Sequence, residues 1–266
     1  MPLEIVGYIA SICIGLILGL LGGGGSILSI PILVYLFHMD VVLASAYSLF
    51  IVGATSTVGA IPKFKDNHVN VRTALLFGIP MHATTFVTRR WIVHMIPDVI
   101  WQYDHFLLSK RVLLLGLFAI LMILTSVSMI RGRQEIASDE DRIRTIWLII
   151  QGILIGLLTG LVGAGGGFLI IPALVLLTGL NFKTAVGTSL TIIAINSFAG
   201  FAGDLVNFNM DWKMLGGITS LAIIGILIGN QLSHKVESRK LRIAFGFFVL
   251  AMGCFILVNE LVIHQR

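Results

Sequence analysis

GLILGLLGGGGSILSIPILVYL, residues 15–36, has a second copy in the same chain, GLLTGLVGAGGGFLIIPALVLL, residues 156–177. Laid over each other at a constant offset of 141 residues, the copies match at Gly15/Gly156, Gly19/Gly160, Gly22/Gly163, Gly24/Gly165, Gly25/Gly166 and Pro31/Pro172. The register continues without a gap through Ala44/Ala185, Ser48/Ser189, Ser56/Ser197 and Gly59/Gly200. Leucine on leucine means little in apolar sequence. Glycine, proline and serine recurring at one offset point to duplication, and a repeat governs the reading of everything around it.

Outward from the two copies the sequence is too apolar to face water. Charged residues make up 12% of the chain and hydrophobic residues 57%, with a mean hydropathy of +0.99. A soluble domain carries about 25% charged residues, so the solvent for most of this surface is lipid. Residues 112–130, 146–182, 184–203 and 214–233 contain no Asp, Glu, Lys, Arg or His. About 20 apolar residues carry a helix across the hydrocarbon core. The runs are apolar around the whole helix, which excludes a peripheral amphipathic helix. Their continuity, as in VLLLGLFAILMILTSVSMI (112–130), excludes the alternation of a membrane β-barrel.

The predicted fold class is therefore an all-α integral membrane protein. Eight transmembrane helices are expected near residues 3–21, 41–61, 72–88, 112–130, 146–162, 182–202, 213–232 and 243–263. They fall into two homologous four-span halves, residues 1–131 and 145–266, joined by a charged linker at 132–144. The first half holds an insertion at 96–110, IPDVIWQYDHFLLSK, whose aromatics beside charges predict an interfacial segment. Ser26 to Ile61 as one straight helix would measure about 54 Å against a core of about 30 Å. Each half is thus expected to contain a Gly-rich broken or re-entrant half-helix before its second span. Four crossings per half make the repeats parallel; an odd number inverts them, and transporters use both designs.

The net charge of +5 sits in short loops and is assigned to topology and lipid headgroups rather than nucleic acid. In an eight-span layout the cations divide almost evenly between the two sides, which leaves orientation open. Cys13 and Cys254 both fall inside spans, so no disulfide framework is expected.

Chemistry is expected where the spans are interrupted. A half-helix N-terminus presents unpaired N–H groups and a partial positive charge, and glycine lets that backbone approach a ligand. Together they form an anion site. Irregular backbone survives at membrane depth only inside protein or beside a water-filled cavity. The candidate substrate-binding residues are Gly23, Gly24, Gly25 and Ser26 in the first copy and Gly165, Gly166 and Gly167 in the second. Ser48, Ser56, Ser189, Asn196 and Ser197 on the following spans would complete the shell. His82, Lys63 and Asp204 are candidate coupling or gating residues, because ionisable groups within spans are scarce. Helix packing and interhelical hydrogen bonds are the rival use of the same glycines and hydroxyls. No Ser/His, Asp/Asp or His-rich constellation lies within the spans, so neither enzyme activity nor a metal site nor a cofactor is expected. Neither cluster continues into a Gly-Lys-Ser/Thr nucleotide loop.

With these residues assembled, the chain resembles the sulfite exporter TauE/SafE family of membrane permeases. The likeness is strongest over GLLTGLVGAGGGFLIIPALVLLTGLNFKTAVGTSL (156–190): a glycine-rich turn, an apolar run, a proline, then a polar stretch. It extends over nearly the whole chain outside the 96–110 insertion and the linker. The first copy departs from the second at Ser26, where the second has Gly167, and in Ala44-Ser-Ala-Tyr-Ser48 against Ala185-Val-Gly-Thr-Ser189; His82 is a further departure. The resemblance implies a secondary permease for sulfur-containing anions such as sulfite or organosulfonates, in a bacterial inner membrane. The residues alone reach only a small-anion transporter that rocks one half against the other. A transporter or channel for another small solute or ion, and a non-transporting membrane scaffold, are the alternatives. The expected partners are a small anionic substrate and the lipid bilayer, with no nucleic acid; a homodimer is left open.

Overall fold

The computed structural model describes residues 2–23, 25–103, 106–131, 141–163, 165–178, 180–233 and 235–260. It is predominantly helical. Helix α1 (Pro2–Leu21) precedes a short helix α2 (Gly25–Pro31), which continues as a π-helical turn over Ile32–Leu36; α3 is Val41–Lys65. Helix α4 (Val71–Val87) runs on through a π segment, Thr88–Ile92, into α5 (Val93–Met95). The expected interfacial insertion holds an antiparallel hairpin of β1 (Val99–Tyr103) and β2 (Phe106–Ser109). Then follow α6 (Lys110–Arg131), α7 (Asp141–Val162), α8 (Gly167–Thr178), α9 (Phe182–Asp204), α10 (Trp212–Ser233) and α11 (Ser238–Val258).

Polar side chains start the long helices. Asp40 accepts from the Val42 and Leu43 N–H groups, Asn70 from Thr73, Asn181 from Thr184, and Asp211 from Lys213 and Met214. These caps satisfy N–H groups that have no partner within the helix. Among the described residues, five helices are long and apolar enough to cross a membrane: Val41–Lys65, Lys110–Arg131, Thr145–Val162, Lys183–Asp204 and Trp212–Ser233. Val6–Leu21, Ile27–Leu36 and Ile243–Val258 are shorter apolar helices. The outward surface is apolar too, with Ile9, Ile79 and Leu124 each more than 60% exposed.

Residue pairs across each contact give the helix directions. Tyr8 lies against Gly217, Gly15 against Ala222 and Gly19 against Asn230, so α1 and α10 run parallel. Gly152 meets Phe77, Gly156 meets Met81 and Gly160 meets Thr85, so α7 and α4 also run parallel. Helix α4 is parallel to α9 (His82 to Asn196, Arg89 to Asp204), and α3 to α10 (Gly59 to Asn230, Lys63 to Ser233). By contrast α3 and α9 are antiparallel, with Phe50 beside Phe201, Gly53 beside Ser197 and Gly59 beside Leu190. Helices α1, α3 and α10 therefore point one way, and α4, α7 and α9 the other.

Small residues allow α1 and α10, and likewise α4 and α7, to touch backbone to backbone. A Cβ on Gly156 would stand 2.6 Å from the Met81 carbonyl oxygen. One on Gly15 would meet the Ala222 carbonyl, and one on Gly225 the Ile12 carbonyl. Without a hydrophobic drive between helices in lipid, such close approach supplies much of the association. Overpacking a tight contact costs about 1–3 kcal/mol. Gly225→Val is accordingly expected to lower the thermal unfolding midpoint of the detergent-solubilised protein. Gly116→Val, at a position with nothing within 4 Å of the added Cβ, should leave it close to the parent value.

Candidate functional site

The glycine clusters form two turns in which glycine is required by backbone geometry. Gly22 has φ +71°, Gly163 +75°, Gly165 +66° and Gly166 +83°, a region that side chains with a Cβ rarely adopt. Space is lacking as well. A Cβ on Gly22 would meet Val186, and one on Gly163 would meet Ser45. The turns come together: a Cβ on Gly23 would stand 2.5 Å from the Gly167 carbonyl oxygen, and one on Gly167 would stand 2.6 Å from Gly23 Cα. Gly22, Gly23, Gly25, Gly163 and Gly165–Gly167 are all buried. Gly24 lies outside the described residues, as does the side chain of Ser26.

The structure divides the candidate hydroxyls into two groups. Ser48 shares a 2.5 Å hydrogen bond with Ser29 on α2, and Ser189 donates to the carbonyls of Val186 (2.8 Å) and Gly22 (3.1 Å). These two hold the half-helix and the glycine turn against the long helices. Ser56 Oγ, Ser197 Oγ and Asn196 Nδ2 are fully buried and have no hydrogen-bond partner among the described residues. A Cβ on Gly165 would stand 2.6 Å from Ser197 Oγ, which puts that hydroxyl against the second turn. Asn196 offers its other atom, Oδ1, to His82 Nδ1 at 3.3 Å. A buried polar group left unmade costs about 1–3 kcal/mol. All three orphaned atoms can donate a hydrogen bond; the two hydroxyls can also accept one, whereas Asn196 Nδ2 can only donate.

The three coupling or gating candidates differ in their surroundings. His82 is part-buried and lines an apolar groove of about 280 Å³ with Ala74, Ile79, Thr191 and Ile195. Lys63 is buried, with Nζ 3.3 Å from Ser233 Oγ. Asp204 is fully buried and paired with Arg89, whose Nε lies 2.8 Å from Oδ2 and whose Nη2 contacts the same oxygen. A third span near 72–88 would leave Arg89 just beyond its end. Arg89 is instead carried inward by the π segment that prolongs α4, and is also fully buried. Sequence reading missed Arg89, although an acidic residue closing a charge-free helix implied a cationic partner. It also missed a second cluster, in which Glu260 accepts from Arg111 Nε (3.1 Å) and Nη2 (3.0 Å) and from the Tyr35 hydroxyl (3.0 Å).

Comparison with known proteins identifies the family. Residues 8–256 match the family described as Sulfite exporter TauE/SafE. A probable membrane transporter protein of Xylella fastidiosa is 31% identical over 256 residues, covering 92% of this chain and 91% of the relative. One from Methanocaldococcus jannaschii is 27% identical, covering 96% and 94%, and one from Bacillus subtilis, YdhB, is 22% identical, covering 92% and 96%. No solved structure matches the chain. The family match takes in nearly the full length, and the helices are long and apolar enough to cross a membrane. The chain belongs to the sulfite exporter TauE/SafE family and is a multi-pass integral membrane transporter.

Proposed function

We propose that this transporter is a secondary permease of a bacterial inner membrane that moves small sulfur-containing oxyanions, such as sulfite or an organosulfonate, without chemical change. The observation that supports the reading is the meeting of two buried glycine turns, with Ser197 against the second and with Ser56 and Asn196 likewise buried without a partner among the described residues. The N-terminus of α8 opens from the second turn, adding backbone N–H groups and a partial positive charge. An oxyanion would satisfy the donors that the fold leaves over, without a buried cation in the central site.

The same reading arranges the chain as two repeats, residues 1–131 and 145–266, joined by the linker at 132–144. Helices α3 and α9 occupy equivalent positions and run antiparallel, which favours an inverted repeat over a parallel one. The first and fifth expected spans, α1 and α7, then become the long limbs of two hairpins, α1–α2 and α7–α8. The hairpins enter from opposite faces and end at the buried glycine turns. Helices α3, α4, α6, α9, α10 and α11 cross, three from each half. Under this arrangement Lys63, Lys65, Arg72, Arg131, Lys183, Lys235, Arg239 and Lys240 gather on one face. Arg89, Arg90, Lys110, Arg111 and Lys213 fall toward the other. The positive-inside rule assigns the richer face to the cytoplasm.

Two measurements test these readings. Purified protein in proteoliposomes should take up radiolabelled sulfite or a small sulfonate saturably. Gly166→Leu, which strains a φ of +83° and meets Thr159, should abolish that flux. Asn196→Ala should lower it about tenfold or more, as expected when a hydrogen bond to a charged group is lost. Absence of flux for every sulfur anion under every ion gradient, with the protein monodisperse, rejects the substrate class. For topology, Lys65→Cys and Val206→Cys, in a background lacking Cys13 and Cys254, should react with an impermeant maleimide from opposite faces, Lys65→Cys from the cytoplasm. Labelling from one face would restore four crossings per half.

A further inference from the structure

Two buried carboxylates in this protein pair with arginine, and they are not satisfied alike. Glu260 uses both oxygens: Oε2 takes Arg111 Nε, and Oε1 takes Arg111 Nη2 and the Tyr35 hydroxyl. Asp204 uses one. Its Oδ2 receives both Nε and Nη2 of Arg89, while Oδ1, buried, has no partner among the described residues. The remaining Arg89 nitrogen reaches the Gly160 carbonyl only at 3.4 Å. A pair that served only to hold helices together would be expected to use its second oxygen, as Glu260 does.

The position of the pair is as informative as its geometry. Arg89 Nη1 lies 3.1 Å from where a Cβ on Gly163 would stand, so the guanidinium flanks the second glycine turn. Ser197 touches the same turn at Gly165. Ser197 and Asp204 are seven residues apart on α9, which places them on one face at a separation of about 10 Å. The residues standing at the 141-residue offset from Asp204 and Arg89 are Lys63 and Asn230, a combination with no carboxylate. The backbone plan therefore does not itself demand an ion pair at this place.

We propose that Arg89 is a second station for the transported anion and that Asp204 carries the proton that moves with it; this rests on the central anion site proposed above. An anion stepping from the donors at Ser197 to Arg89 displaces Asp204 as counter-ion. The carboxylate, left buried without its cation, is unstable as a charge in a medium of low dielectric, and it takes up a proton on the free Oδ1. Before the step the site holds Arg89⁺ and Asp204⁻. After it the site holds Arg89⁺ with the anion, and neutral Asp204. One proton accompanies each monoanion, and the site stays neutral throughout. Few other groups near the pair titrate. The extension of α4 presents Arg90 and His94, whose Nδ1 lies 2.9 Å from the Arg89 carbonyl oxygen. Helix α7 has no titratable residue over 145–162, and α9 none between Lys183 and Asp204. The near end of α3 offers Tyr47, whose hydroxyl accepts from the Asp211 N–H, and beyond it lies Asp211 itself.

The test compares anion accumulation under an imposed pH gradient, at clamped membrane potential, with gradient-free exchange of labelled for unlabelled sulfite. Wild-type protein should exchange, and should accumulate the anion up to about tenfold per pH unit of gradient, since one pH unit is a factor of ten in proton activity. Asp204→Asn should retain exchange and lose accumulation. Arg89→Gln with Asp204→Asn together removes both charges, so no buried ion is stranded; it should fold and show no gradient-driven accumulation. If Asp204→Asn misfolds, the double variant carries the test. Accumulation by either variant at the wild-type level overturns the proposal. So does wild-type exchange that ignores the pH gradient. Failure of the wild type to exchange any sulfur anion instead rejects the central site, and this proposal with it.

Discussion

A polypeptide that leaves the helix inside a membrane must find partners for its N–H and C=O groups within the protein, because lipid supplies none. This constraint governs the turns at Gly22–Gly25 and Gly163–Gly167. The described residues of each turn are buried, each turn needs positive φ, and neighbouring side chains reach the backbone. The Ser189 hydroxyl on the Gly22 carbonyl is the plainest case. Placing the turns against each other, Gly23 on Gly167, confines the irregular backbone to one small region. It also concentrates there the polar side chains that such backbone requires. The same economy leaves the periphery free to be apolar, as Ile9, Ile79 and Leu124 are.

The second determinant is close packing between helices that are distant in sequence. The most extensive helix contact joins α1 to α10, and α4 to α7 is among the next largest; both are glycine-mediated and both connect one half of the chain to the other. Motion in which one sequence half rocks as a body against the other would have to break these contacts. The sets α1–α3–α10 and α4–α7–α9 each share one direction. They meet along the antiparallel α3–α9 pair, where Phe50 packs on Phe198 and Phe201 and Gly53 approaches Ser197.

Much of this was legible in the sequence because membrane composition and repeated glycine are strong signals. The apolar runs located the helices, and Gly22–Gly25 with Gly163–Gly167 located the breaks. Ser56, Asn196 and Ser197 stood out as polar groups inside apolar helices. Other features depend on where a side chain points, which spacing does not reveal. Ser48 and Ser189 looked equivalent to Ser56 and Ser197, yet their hydroxyls are used to brace α2 and the first turn. Arg89 sits beside Arg90 and resembles the charged end of a span. Only the π segment over Thr88–Ile92 shows that the helix continues and turns that guanidinium inward. Helix direction was equally hidden, since α1 has the length of a span whether or not it emerges on the far side.

The pairing of Lys63 with Ser233 at one end and of Asp204 with Arg89 at the other carries a further consequence. A duplicated scaffold with identical ends would present the same chemistry to both faces of the membrane. Here the 141-residue register that preserves the glycine contacts, Gly22 on Val186 and Gly163 on Ser45, does not preserve the charges. Positions in backbone contact match between the two copies, where little change is tolerated; the charged positions do not match. In the proposed anion path Lys63 would stand at one end, beside Ser233 and near Asp66. Arg89 would offer an anion a cationic neighbour only when Asp204 gives it up. Under the proposed reading the two ends of the path would be unequal, and unequal ends would let one fold couple anion movement to a second ion.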